Sequence, residues 1–145
     1  MKNIKWIMKQ SLASLALLSL STTASAELII ITHNDTKTVS ISKNIIADMY
    51  LDKIKTHRDG IRVKTVDQAP GSDAKKEFYQ AIMSKTETQV NRYWAKRRYS
   101  GKGKPPIVIS GDDAVKSWVA NNPGAIGYIN KKSMDSSVKA LLTIP

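Results

Sequence analysis

Ile61-Arg62-Val63-Lys64-Thr65-Val66-Asp67-Gln68-Ala69-Pro70-Gly71-Ser72-Asp73-Ala74-Lys75-Lys76-Glu77-Phe78 is the stretch that decides the fold class. Its first six residues alternate Ile61, Val63 and Thr65 against Arg62, Lys64 and Val66, the period of a strand with one face less protected. Pro70-Gly71 then breaks the chain. From about Asp73 to Met83, Phe78, Ala81 and Ile82 fall on one stripe, the period of a helix. A strand, a break and a helix in one short segment point to an α/β layer fold.

The flanking sequence continues the alternation. Leu28 to Thr32 is a continuous apolar, β-branched run and predicts a buried first strand. A short edge strand is possible at 38–41. Ser42 can cap a helix from Lys43 to about Leu51 that buries Ile45, Ile46, Met49 and Tyr50. Arg58-Asp59-Gly60 reads as a turn. Thr86-Glu87-Thr88-Gln89 has the form of a capping box, opening a helix to about Arg98 with Val90 and Trp94 facing the core. After Pro105-Pro106, Ile107 to Ile109 predicts a short buried strand. Ser110 or Asp112 caps a helix that packs Val115, Trp118 and Val119 inward and stops at Asn121-Asn122-Pro123-Gly124. Ala125 to Ile129 and Val138 to Ile144 predict the last two strands. The expected order is β-α-β-α-α-β-α-β-β: a mixed, mostly parallel sheet of about five strands flanked by helices.

The amino terminus predicts the compartment. Lys2, Lys5 and Lys9 precede a short apolar run from Leu12 to Leu20, and Ala24-Ser25-Ala26 fits a signal-peptidase site. The run is about half the roughly 20 residues a spanning helix needs. Residues 1–26 are therefore expected to be a cleaved export signal. Residues 27–145 are expected to be one periplasmic domain with no membrane span. The first 26 residues hold three of the 23 basic residues and none of the 12 acidic ones, so the 119-residue remainder is expected to carry a formal charge of +8. Such a charge favours anionic partners. The chain has no cysteine, which excludes disulfides and thiolate metal sites.

Three constellations bear on function. Gly71-Ser72 followed by a helix start is a pattern that can hold an anion on free N–H groups, with Ser72 as a hydroxyl donor and Lys75 reaching over the first turn. An ordinary N-cap explains the same residues, and Asp73 competes with any anion there. His33-Asn34-Asp35-Thr36 follows the first strand, where a polar loop can reach a ligand; a self-bonded turn is its plainer account. Arg92, Lys96, Arg97, Arg98, Lys102 and Lys104 form a one-signed basic stretch laced with Tyr93, Trp94 and Tyr99. In isolation it reads as a nucleic-acid patch, but an exported chain rarely meets nucleic acid, which leaves small anions, the envelope surface or a protein partner. No nucleophile elbow, His-Glu-x-x-His or P-loop is present, so no catalytic residue, cofactor or metal is assigned.

Four segments in order carry a family resemblance. Ile45-Ile46-Ala47-Asp48-Met49-Tyr50-Leu51-Asp52-Lys53 with Arg58-Asp59-Gly60 is similar to a "l..if.Gk...w.dG" helix and turn. Gly71-Ser72, Lys75 and Phe78 are similar to "GSGTR..F". Tyr93-Trp94, Tyr99-Ser100-Gly101-Lys102-Gly103 and Pro105-Pro106 match "W....fsGkg.pP". Asn122 to Ile129 is close to "npgaIGYv". The chain resembles the small, single-lobe relatives of periplasmic phosphate-binding proteins, the exported subunits of ABC-type phosphate importers. The resemblance implies a single periplasmic-binding-protein-like lobe and a tetrahedral oxyanion, phosphate first, as ligand. It implies ligand contacts at Gly71, Ser72 and Lys75, with His33 and Asn34 approaching from the first loop, and an inner-membrane transporter or sensor as partner. The sequence departs from the family at Asp73 and Ala74, where the family has Gly and Thr, and at Asp67-Gln68, where long members often have Arg. Long members close two lobes around the anion. Half a cleft predicts weak binding, a site shared by two copies, or none. The alternative is an interaction or sensor-input module that has lost transport and presents its basic face to a membrane protein or the anionic envelope.

Overall fold

Leu28–Thr32 forms β1, and all five of its residues are buried. Its unbroken apolar run has a direct cause: both faces of the strand are covered. Leu28 and Ile30 point into one core cluster, with Ile46, Tyr50, Phe78, Val90, Trp94 and Tyr128. Ile29 and Ile31 point into a second, with Val66, Val115, Val119 and Ile129. The structure, a computed structural model, describes residues 26–145, so the expected export signal lies, but for Ala26, outside the described residues.

After β1 come α1 (Lys43–Tyr50), β2 (Lys64–Asp67), α2 (Asp73–Phe78), a π-helical turn (Tyr79–Met83) and α3 (Glu87–Tyr99). They are followed by β3 (Ile107–Val108), α4 (Asp112–Ala120), β4 (Ala125–Asn130), a short 3-10 turn (Lys131–Ser133) and β5 (Lys139–Ile144). The sheet order is β3-β2-β4-β1-β5. β2 pairs parallel with β3 and β4, and β1 pairs antiparallel with β4 and β5. Four strands thus run one way and β1 runs against them. The expected α/β class and mixed, mostly parallel five-stranded sheet are what the chain forms.

Each helix sits where its apolar stripe and caps direct it. Ser42 caps α1 through Ile45 N–H, and the Thr86–Gln89 capping box opens α3 with both reciprocal bonds made. Helix α4 lies unusually close to the sheet at Gly127. A Cβ there would sit 2.8 Å from Val66, 3.0 Å from Val115 and 3.1 Å from Val119.

Several local expectations change. β2 starts at Lys64, not Ile61. The residues before it fold back as a turn, with a Thr56–Arg62 bridge and Arg58-Asp59-Gly60 at the tip. Residues 38–41 form no strand: Val39 is 80% exposed while Ile41 is buried. The helix expected over 73–83 is α-helical to Phe78 and π-helical beyond. β3 was expected to be buried, yet Ile107 and Val108 are 47% and 52% exposed, because β3 is the edge strand and pairs only with β2. Gly111, not Ser110 or Asp112, is the N-cap of α4, and it makes no side-chain bond. The Asp112 carboxylate instead accepts from Gln68 Nε2 at 2.9 Å, Asn130 N at 3.1 Å and Ser133 Oγ at 3.0 Å. Ile45, Ala81 and Trp118 are half-buried at the margins of the two clusters rather than inside them.

Candidate functional site

β2 delivers its last residue, Asp67, into the interior, and the chain leaves through Gln68 to the Gly71-Ser72 turn. Gly71 adopts φ +76°, a conformation that L side chains rarely take. Its N–H points to α3, where the Glu87 carboxylate accepts it with both oxygens, at 3.0 and 3.1 Å. Ser72 is the N-cap of α2, its Oγ accepting from Lys75 N at 3.3 Å. The ordinary capping role is therefore in place, and the Ser72 hydroxyl hydrogen remains available to a ligand.

Lys75 turns inward. It is 5% exposed, and its ammonium lies 3.3 Å from Asp67 Oδ2 and 5.4 Å from the Tyr79 ring centroid. Asp67 is equally buried and accepts from both the Tyr79 and Tyr128 hydroxyls and from Gln68 N at 2.9 Å. A buried carboxylate is tolerable only when paired and hydrogen-bonded, and this one is both. Burial, and after it the Asp67 charge, push the Tyr79 and Tyr128 hydroxyls far above the ordinary tyrosine range; the same two causes raise Tyr50. The three phenols remain protonated donors: Tyr50 gives its hydrogen to Val66 O at 2.7 Å. The Asp67 cluster has no counterpart in the sequence reading. Its signal was an acid at the end of an apolar strand followed within a helix length by Lys75 and Tyr79.

The structure brings Gly71, Ser72 and the backbone of Lys75 together, and places His33 and Asn34 elsewhere. β1 runs against β4, with Thr32 beside Ile126, and Ile126 lies beside Thr65 near the start of β2. The loop after β1 thus emerges at the end of the sheet opposite Asp67 and Gly71. There His33 Nδ1 accepts from Asp35 N at 3.1 Å, and Asn34 Nδ2 donates to Ser136 O at 3.0 Å. Thr32 Oγ1 donates to Ala125 O at 2.7 Å, which fixes the loop to β4.

The basic stretch also leads away from Gly71. α3 starts at Glu87, beside Gly71, and its 13 residues carry the chain about 20 Å along the axis. Arg98, in the last turn of α3, therefore lies well beyond a Debye length of about 8–10 Å from the Gly71 N–H. Arg97 packs over Tyr93 at 5.3 Å and Trp94 at 6.0 Å, so it is a packing residue as much as a charge. Arg92, Lys96, Arg98, Lys102 and Lys104 are exposed. Trp94 is buried and Tyr99 is exposed, which divides the aromatics between core and surface. Among the described residues, no group of three or more His, Asp or Glu could hold a metal ion, and no helix is long and apolar enough to cross a membrane.

The chain shares its architecture with solved phosphate-transport proteins. A phosphate ABC transporter substrate-binding protein from Clostridium perfringens, solved with bound phosphate, superposes with a TM-score of 0.64 at 23% identity over 80% of this chain and 45% of that one. The fold is that of a phosphate-binding-protein lobe. An ABC-type phosphate transport receptor from Vibrio cholerae superposes with a TM-score of 0.64 at 17% identity over 80% of this chain and 46% of its own length. PstS from Borrelia burgdorferi gives 0.61 at 18% identity, over 80% and 47%. This chain thus spans just under half the length of those structures. No protein-family model matches the sequence, and no curated protein matches it.

Proposed function

We propose that this chain is an exported, non-enzymatic solute-binding protein that takes phosphate or a similar tetrahedral oxyanion at the Gly71–Ser72 turn and passes it to, or signals through, an inner-membrane transporter or sensor. One observation carries the reading: the Gly71 N–H already holds an oxyanion, the Glu87 carboxylate, with both oxygens within 3.1 Å. The solved neighbours, one of them with bound phosphate, support the ligand class. An incoming anion displaces the Glu87 carboxylate from Gly71 and accepts from the Ser72 hydroxyl beside it. Lys75 does not contribute its charge, because its ammonium stays on Asp67, and its N–H is already given to the Ser72 hydroxyl oxygen.

Calorimetric titration with phosphate and with sulfate at low salt tests the reading. Glu87→Gln removes the internal competitor and should tighten phosphate binding about tenfold, the scale of one charge-assisted hydrogen bond. Ser72→Ala should weaken it. Absence of heat at millimolar phosphate for both the wild-type chain and Glu87→Gln would eliminate the proposal.

A further inference from the structure

We propose that the cleft at the amino-terminal ends of β2 and β3 docks an extended acidic segment of a partner protein. The cleft encloses about 540 Å³. It lies at the far end of β2 from Gly71 and does not depend on the oxyanion reading. Arg62, Lys64 and Lys104 line it together with Trp118. All three cations are exposed, and no described carboxylate lies within ion-pair distance of any of them. The one acid of the cleft, Asp52, is paired with Lys55 at 3.5 Å. Of the six basic residues that stand out between 92 and 104 in the sequence, only Lys104 lines this cleft.

Two features select the partner. The three cations are exposed and come from two segments, Arg62 and Lys64 around the start of β2 and Lys104 ahead of β3, so they suit several spaced carboxylates better than one small anion, which needs fixed donors with water excluded. Ile107, which lines the cleft, belongs to β3, the edge strand, where Ile107 and Val108 are half-exposed and no described strand pairs on the outer side. An open edge offers main-chain donors and acceptors to an extended chain, and alternate side chains of that chain meet the apolar residues. Rim cations repel a second copy of a chain whose formal charge is +11, and attract an acidic strand.

The test is fluorescence anisotropy with a labelled decapeptide of alternating Glu and Val, at low and physiological salt. The full chain should bind it saturably. Arg62→Glu, Lys64→Glu and Lys104→Glu should each weaken binding about threefold to fivefold, the range of an exposed ion pair, and the triple variant should abolish it. Lys131→Glu/Lys132→Glu, beyond the opposite end of β4, should leave it unchanged. Alternate N-methylation of the peptide should also abolish binding, by removing the main-chain bonds. No binding to the wild-type chain overturns the proposal. So does equal binding of the N-methylated peptide, or equal loss in the Lys131/Lys132 variant. A short DNA duplex that binds with the same variant sensitivity while the peptide does not would equally overturn it.

Discussion

Lys75 shows how much a single side chain's direction matters. Its position one turn into α2 suits a reach toward an external anion, yet its ammonium is buried against Asp67. Removing one partner of a buried pair leaves the other charge without compensation, at a cost of about 3–5 kcal/mol. Lys75→Met should therefore lower unfolding stability by that amount, read as a shift of the urea midpoint. Asp67→Asn/Lys75→Met should recover part of the loss, because neither charge is then stranded. A loss in the double variant equal to the sum of the losses in Lys75→Met and Asp67→Asn alone would mean that the pair is not coupled. Glu87 is the complementary case. It sits in the first turn of α3, where a carboxylate suits the helix dipole. That local role explains it fully from sequence, so its contact with Gly71, remote along the chain, left no trace there.

Helix α4 and β4 show the same contrast at the scale of the element. Val115 and Val119 one turn apart predict the buried stripe of α4, and both are fully buried. What the stripe does not reveal is how closely the helix approaches, which Gly127 sets. Gly127→Ala would press a methyl into Val66, Val115 and Val119 at 2.8–3.1 Å. Overpacking of this kind costs about 1–3 kcal/mol. Thermal unfolding should register it, and Gly127→Ala/Val115→Ala should restore part of the loss by vacating the volume. A fully tolerated Gly127→Ala would show that α4 can move outward freely. β3 is the element read least well. Ile107-Val108-Ile109 has the composition of a buried strand, but burial of a strand depends on its rank in the sheet. Sequence order does not give that rank: the third strand in the chain is the outermost in space.

Across the molecule, local rules were legible and relations between distant segments were not. The caps at Ser42, Ser72 and Thr86 and the two faces of β1 are local patterns, and each could be read directly. The separation of His33 and Asn34 from Ser72 follows from β1 running against β4, a pairing across about a hundred residues that no local period encodes. The polar interior is likewise a property of the assembled fold. Asp67 gathers hydroxyls from the π-helical turn and β4, and Tyr50 of α1 packs against the same group of rings. This gives the molecule a defined alkaline limit. The Tyr50, Tyr79 and Tyr128 hydroxyls are all raised well above their ordinary value, first by burial and then by Asp67. Below pH about 10 the phenols are protonated in both folded and unfolded chains, and their contribution to stability is fully present. Above it the unfolded chain releases protons that the folded chain retains, so stability falls as pH rises. The slope is about 1.4 kcal/mol per pH unit for each tyrosine, or about 4 for the three. Urea midpoints measured from pH 8 to 11 should be flat in this respect up to about 10 and then fall. Tyr79→Phe and Tyr128→Phe should each reduce the alkaline slope by about a third, whatever they cost at neutral pH. An unchanged slope in both variants would show that these phenols do not control the alkaline transition.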